Sequence, residues 1–327
     1  MATIRLTLAL GDYDHTRDLA HGAVKAEGIE LVHLSLPIEE VHFRFVKFRE
    51  WDISEMSFAK YVALRSQGDD SIIGLPVFPS RVFRLSSIYV QPGGKVGTLA
   101  DLRGARIGLP EWAQTAAIYT RGHIEHELGI PLASIEWIQA GVNEPGRAEK
   151  VALRLPEGLH LRPEPTRSLN EMLVAGELDA AMSARPPAAF ADGRVVRLVA
   201  QYREAEEAYF RKTGIFPIMH VVVLRREVHE AFPWAAMNLV KAFEEAKRRS
   251  LARLADITAS HVPLAWIGEY VARMRELFGA DPFPYGVEPN RRTLEAFLQF
   301  AYEQGVCHRR VAPEELFPRQ VLATHKV

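Results

Sequence analysis

Apolar residues in the first ninety positions switch repeatedly between a two-residue and a 3.6-residue period. Ile4, Leu6, Leu8 and Leu10 alternate with their neighbours as a half-buried strand does, and a polar loop then leads into a helix from about Thr16. A second strand over 29–36 feeds a helix striped by Val41, Phe45 and Phe48. In a third unit an extended 52–57 precedes a helix over 58–67. Strands alternating with helices at this spacing predict a mostly parallel sheet covered on both faces.

A second series begins after the break Gln91-Pro92-Gly93-Gly94. A helical turn at 99–104 feeds a strand over 105–109 and a helix over 113–128; further strands are predicted at 135–139 and 178–183, with a helix at 169–175. The segment 145–165 is rich in Pro, Gly and charge and reads as an irregular excursion. From Gly214 the pattern becomes a strand over 215–224 and then three long helices. Their stripes are Leu239, Val240, Phe243 and Ala246; Trp266, Tyr270, Val271, Met274 and Leu277; and Leu294, Phe297, Leu298 and Ala301, all read as packing faces.

The apolar strands 85–90 and 215–224 bracket the second series and are expected to be the crossings between two lobes. The first lobe is then discontinuous, 1–91 and 214–327, with 92–213 inserted and a ligand cleft between them. Open α/β sheets bind ligands where strand carboxyl ends and helix N-termini collect, which favours an anionic small molecule.

A length of 327 residues supports two lobes, each able to bury a core. Lys+Arg total 40 against Asp+Glu 41, so no global field favours nucleic acid or an anionic membrane, and anion selectivity has to be local. Cys307 is the single cysteine, which rules out an intramolecular disulfide and a Cys-rich zinc site and fits a reducing compartment. Arg5 interrupts the apolar N-terminus and Gly11-Asp12-Tyr13-Asp14 ends it early for a signal peptide. No stretch approaches the roughly 20 apolar residues of a membrane span. A cytoplasmic protein is expected; association into homo-oligomers is left open.

Polar residues follow each strand end predicted to face the cleft: Asp12-Tyr13-Asp14-His15-Thr16, Glu55-Met56-Ser57, and Pro110-Glu111-Trp112-Ala113-Gln114-Thr115. Asp14, Thr16, Ser57 and Thr115 also suit helix caps, and convergence at one cleft is what gives them a functional reading. Arg81 and Arg84 could grip carboxylates bidentately, although three residues apart on a regular strand they would point to opposite faces. Arg185, stiffened by Pro186 and Pro187, offers a further cation or a lobe-stabilising ion pair. His220, on the second crossing strand beside Met219, could donate or accept a proton near neutrality, or serve as a structural histidine. His123 and His126 lie three apart on a helix, but with no HExxH motif or third ligand they read as solvated surface, and no metal is expected. No phosphate loop or G-x-S-x-G elbow is present, so the chemistry expected is acid–base work without a cofactor.

These stretches resemble the 4,5-dihydroxyphthalate decarboxylase family. The likeness is carried by Asp12-Tyr13-Asp14, the segment 78–84, Glu144-Pro145-Gly146-Arg147-Ala148-Glu149-Lys150, Arg185-Pro186-Pro187, 213–220, Pro284-Tyr285-Gly286 and 312–317, in order along nearly the whole chain. The resemblance implies a two-lobed α/β protein of the type 2 periplasmic-binding-protein-like fold, turned to conversion of 4,5-dihydroxyphthalate to protocatechuate and carbon dioxide. It also implies that Arg81, Arg84 and Arg185 orient the carboxylates, that His220 protonates the ring, and that Glu111, or else Glu55 or Asp14, accepts a phenolic proton. Tyr13, Ser57, Trp112, Thr115 and Met219 complete the expected substrate-contacting set. A transporter's solute-binding protein for an aromatic or carboxylate ligand is the alternative, since fold does not decide function. Two others are a menaquinone-pathway type of enzyme and a regulatory ligand-binding domain.

Overall fold

The computed structural model describes residues 3–322. The first α/β series contains β1 (Ile4–Ala9), α1 (Asp14–Ala20), β2 (Ile29–Leu34), α2 (Ile38–Phe48), β3 (Ile53–Ser57), α3 (Phe58–Ser66) and β4 (Ile72–Leu75). The second contains β5 (Ile88–Val90), β6 (Arg106–Leu109), α4 (Thr115–His126), β7 (Glu136–Gln139), β8 (Leu161–Pro163), α5 (Leu169–Val174), β9 (Ala180–Met182), β10 (Val196–Arg197) and α6 (Tyr202–Thr213). The chain closes with β11 (His220–Arg225), α7 (Arg226–Ala231), α8 (Ala235–Ala255), α9 (Ile267–Phe278) and α10 (Arg291–Glu303).

Two sheets result. The first has the order β2-β1-β3-β11-β4 and the second β10-β5-β9-β6-β7-β8. β1 pairs in parallel with β2 and β3, while β11 returns antiparallel between β3 and β4. Parallel pairing β8-β7-β6-β9 builds most of the second sheet, with β5 and β10 antiparallel at its end.

Three sequence readings need correction. Ile88–Val90, placed at the end of the first lobe, hydrogen-bonds to β9 and β10 in the second sheet, because a short apolar run carries no information about which sheet it joins. The strand expected over 215–224 starts only at His220: Pro217 has no N–H to give to a ladder, and the stretch before β11 keeps a single bridge, Ile218 to Arg81. The stripe assigned to α9 is not a buried face, since none of its residues is buried and Trp266 and Tyr270 are exposed. Phe48, at the end of α2, is exposed as well. By contrast Leu239, Phe243 and Ala246 of α8, and Leu294, Phe297, Leu298 and Ala301 of α10, are buried as expected.

The sheets are joined by more than the connecting strands. α10 lies on α4, with Phe300 occupying the space a side chain at Gly122 would need. The Arg121 guanidinium, fully buried, stacks 3.7 Å from the Trp112 ring and donates to Gln304 Oε1 at 2.9 Å. β4, short β10 and β8, the last inside the segment read as irregular, together with α6 and α7, went unpredicted.

Candidate active site

The register of β11 on β3 sets the centre of the site. His220 lies opposite Ser57 and Val222 opposite Glu55, so alternation puts Glu55, Ser57 and His220 on one face while Met56 and Val221 point into the core. His220 and Glu55 are then diagonal neighbours, within reach of each other's side chains. His220 Nδ1 lies 2.5 Å from Glu55 Oε1. The Tyr13 hydroxyl donates to the same oxygen at 2.6 Å, and the Gly11 N–H donates to Oε2 at 2.9 Å.

Glu55 has no exposed surface. Burial pushes its carboxyl upward, but the hydrogen bond and charge of His220, with the Tyr13 hydroxyl, outweigh this and hold it below the usual carboxylate range. Tyr13 is pushed the other way, by burial and by the adjacent carboxylate, so it stays a phenol that donates. With Nδ1 directed at Glu55, the other ring nitrogen of His220 is left for the cleft that this residue lines.

That cleft has a volume of about 430 Å³ and collects residues from both sheets. From α2 come Ile38, His42 and Val46, four residues apart on one helix face. The His42 ring meets His220 edge-on, 4.7 Å between centroids. Burial, with the neighbouring His220, drives His42 down to about 3, so it is a neutral imidazole. Ser57 and Thr115 bridge the sheets through their hydroxyls at 3.0 Å, which takes up side chains that otherwise suit helix caps.

Charge in the cleft is one-sided: Lys60, Arg84, Arg147, Lys150 and Arg185 line it against Glu39 and Glu111. Glu111 is buried and held by three of them, Lys60 at 2.7 Å, Arg147 at 2.6 Å and Lys150 at 3.5 Å. Burial alone would raise its carboxyl, yet the Lys60, Lys150 and Arg147 charges bring it below its ordinary value. Arg84 has a different setting. Its Nε donates to the Met219 thioether at 3.3 Å, no carboxylate pairs with it among the described residues, and burial pulls the guanidinium down to about 10.

Of the residues expected from the sequence, the cleft gathers His220, Arg84, Ser57, Thr115, Met219, Glu111 and Arg185. Arg185 sits at its rim with its side chain 68% exposed, paired with Glu39 at 3.2 Å. Glu55 and Tyr13 stand behind His220, Glu55 bonded to its Nδ1 and Tyr13 to the same Glu55 oxygen. Arg81 is a correction: it is buried, donates to the carbonyls of Phe216 and Pro284 and to Asn290, and lies against Phe78, Phe216 and Phe283, so it ties the segment before β11 to the 283–290 loop. Trp112 is another, fully buried with its indole N–H on the Gln304 carbonyl. Asp14 faces a separate cavity beside α8 and α9, where it accepts from Ser250 at 2.5 Å. Glu111, as an ion-paired carboxylate, is a poor proton acceptor.

His42 and Lys60 were not singled out, and Arg147 and Lys150 were named only within the stretch Glu144 to Lys150 that carries the family likeness, with no role in the site. His42 sits one position from the Val41–Phe45 stripe, and its i±4 apolar neighbours were the available signal; Arg147 and Lys150 lie in the excursion whose irregularity hid them. Neither His123 nor His126 shares a ligand with the other: His123 meets Tyr209 edge-on, and His126 bonds Glu303 at 2.7 Å. Donor atoms of His42, Glu55 and His220 do lie within 4.8 Å of one another. Both Glu55 oxygens, however, already accept from O–H or N–H groups, so a metal would have to displace those donors.

No protein-family model matches the chain. A curated relative from Comamonas testosteroni, 4,5-dihydroxyphthalate decarboxylase, is 36% identical over 330 residues, covering 100% of both chains. The chain belongs to the 4,5-dihydroxyphthalate decarboxylase family. A relative of the same name from Pseudomonas putida is 36% identical over 194 residues, 59% of this chain and 75% of the other. Membership places the chain among carboxy-lyases. Solved structures share its fold: the periplasmic aliphatic sulphonate binding protein SsuA from Escherichia coli aligns with a TM-score of 0.54 at 13% identity, covering 98% of this chain and 99% of the other. A Candida albicans protein with the generic periplasmic binding protein fold aligns at 0.51 and 12% identity, covering 99% of each. The two-lobed periplasmic-binding-protein-like fold of this decarboxylase family member is thereby established. No helix among the described residues is long and apolar enough to cross a membrane.

Proposed function

We propose that the protein decarboxylates a hydroxylated aromatic dicarboxylate such as 4,5-dihydroxyphthalate, giving protocatechuate and carbon dioxide without a cofactor. One observation supports this reading above the others: a histidine held by a buried carboxylate lines the same cleft as an arginine with no carboxylate partner among the described residues. The ligand's carboxylate supplies the anion that Arg84 lacks, and a charge-assisted pair in a largely buried site fixes the ring's position.

Direct loss of carbon dioxide would leave an electron pair in an aryl orbital with no sink. Protonation of the carboxylate-bearing carbon comes first. His220, in its protonated form, delivers the proton from the ring nitrogen opposite Glu55, and the hydroxyl para to that carbon shares the resulting positive charge. The carbon–carboxylate bond then breaks, its electron pair restores the aromatic ring, and neutral carbon dioxide departs. One proton is consumed and none has to be taken from the phenol, so the ion-paired state of Glu111 is no obstacle. Glu55, anionic behind the imidazolium, stabilises the charged donor and fixes its orientation.

The test is to incubate the purified, metal-stripped protein with a panel of hydroxylated aromatic dicarboxylates and follow carbon dioxide and product. Release from 4,5-dihydroxyphthalate supports the reading. Tight binding of the whole panel without release identifies a receptor instead.

A further inference from the structure

The charges of the cleft do not cancel, and the residue left over lies at the start of the excursion 145–165. Glu111 and Glu149 are two negative charges, faced by three positive ones. Lys60 lies 2.7 Å from each carboxylate, and Arg147 lies 2.6 Å from Glu111. Glu149 also accepts the Ala113 N–H at 3.0 Å, which pins the excursion to the turn between β6 and α4. Those contacts satisfy both carboxylates. Lys150 stands outside them: its ammonium comes only to 3.5 Å from Glu111, makes no side-chain hydrogen bond among the described residues, and lines the cleft about one-third exposed.

We propose that Lys150 is the specificity-determining residue for a second carboxylate, so that Arg84 and Lys150 together select a ligand bearing two anionic groups. This rests on reading the cleft as an aromatic-carboxylate site. Both cations line the same cleft as the His42–His220 pair, and Arg84 contacts Met219, adjacent to His220 in the chain. A lysine suits the part because its flexible stem lets the ammonium leave a long contact with Glu111 for a nearer anion. The excursion is shaped to present it. At Gly141 an added side chain would collide with the Glu144 carbonyl oxygen, so the chain turns tightly there before reaching Arg147 and Lys150. A monocarboxylate meets Arg84 and leaves Lys150 solvated, gaining nothing from it.

Calorimetric titration of the full chain with phthalate and with benzoate separates the subsites without turnover, because neither ring carries a hydroxyl. In Lys150→Met the phthalate Kd is expected to rise roughly 10- to 100-fold, the range of one charge-assisted contact, while the benzoate Kd stays within about twofold. Lys150→Arg should keep most of the preference for phthalate. An unchanged phthalate-to-benzoate ratio in Lys150→Met, or no phthalate binding by the unaltered protein, overturns the assignment. Failure of the decarboxylase reading shows elsewhere, as no carbon dioxide from 4,5-dihydroxyphthalate, and leaves this ratio measurable.

Discussion

His220 and Glu55 meet at 2.5 Å, Nδ1 to Oε1, with the carboxylate wholly inside the protein and the imidazole at the cleft wall. The pairing sets which nitrogen faces the ligand and holds the ring in one orientation. Replacing Glu55 by Gln keeps the shape and removes the charge. Turnover is expected to fall by about 100-fold or more with the ligand Kd changed only a few-fold. Steady-state kinetics on Glu55→Gln beside equilibrium binding check this; equal losses in both would make Glu55 a structural residue.

Two arginines three positions apart are expected to fail in opposite ways. Arg84 is largely buried without a carboxylate partner among the described residues, so Arg84→Gln should weaken carboxylate binding by about 30-fold or more while leaving the unfolding midpoint unchanged or raised. Arg81 satisfies two carbonyls and Asn290 from a buried position. Arg81→Met should therefore cost about 3 kcal/mol or more of stability through acceptors left without donors. Urea unfolding and ligand titration on both variants separate the roles.

His42 gives the protein an acid-sensitive component above the carboxylate range. The ring titrates at about 3 in the folded state against an ordinary 6.5, chiefly because it is buried, and His220, Glu55, Lys150 and Glu111 also act on it. Between those values the unfolded chain binds a proton that the folded one refuses, so stability rises with pH. The contribution is complete above about 6.5 and is lost as pH falls toward 3. His15, lowered to about 4, adds the same sign over a narrower window. Urea midpoints of His42→Phe, measured from pH 7 to pH 4, should fall less steeply than those of the unaltered protein; parallel curves would mean His42 is not held neutral.

The chain's periodicity carries the two-series architecture because most strands and helices bury a continuous face, and β1, α3, β6 and α10 show that face directly. Sheet membership is not written there. Ile88–Val90 is apolar enough for either sheet, and only its partners decide. At the site, Glu55 and Ser57 were legible as polar residues at a strand end and His220 as an imidazole on the second crossing strand, and the register of β11 on β3 puts them on one face. Arg81 misled because a guanidinium that binds carbonyls inside a fold is the same residue type as one that binds a ligand. Lys60, Arg147 and Lys150 stayed hidden, since their meeting at Glu111 depends on how an irregular segment folds back.

Single-turnover decarboxylation of 4,5-dihydroxyphthalate by His220→Ala, with ligand affinity measured on the same preparation, tests proton delivery by His220 most directly. Turnover at least about 100-fold below that of the unaltered protein, with affinity within a few-fold, is the predicted result. Turnover at the unaltered rate would contradict it and remove His220 from the chemistry.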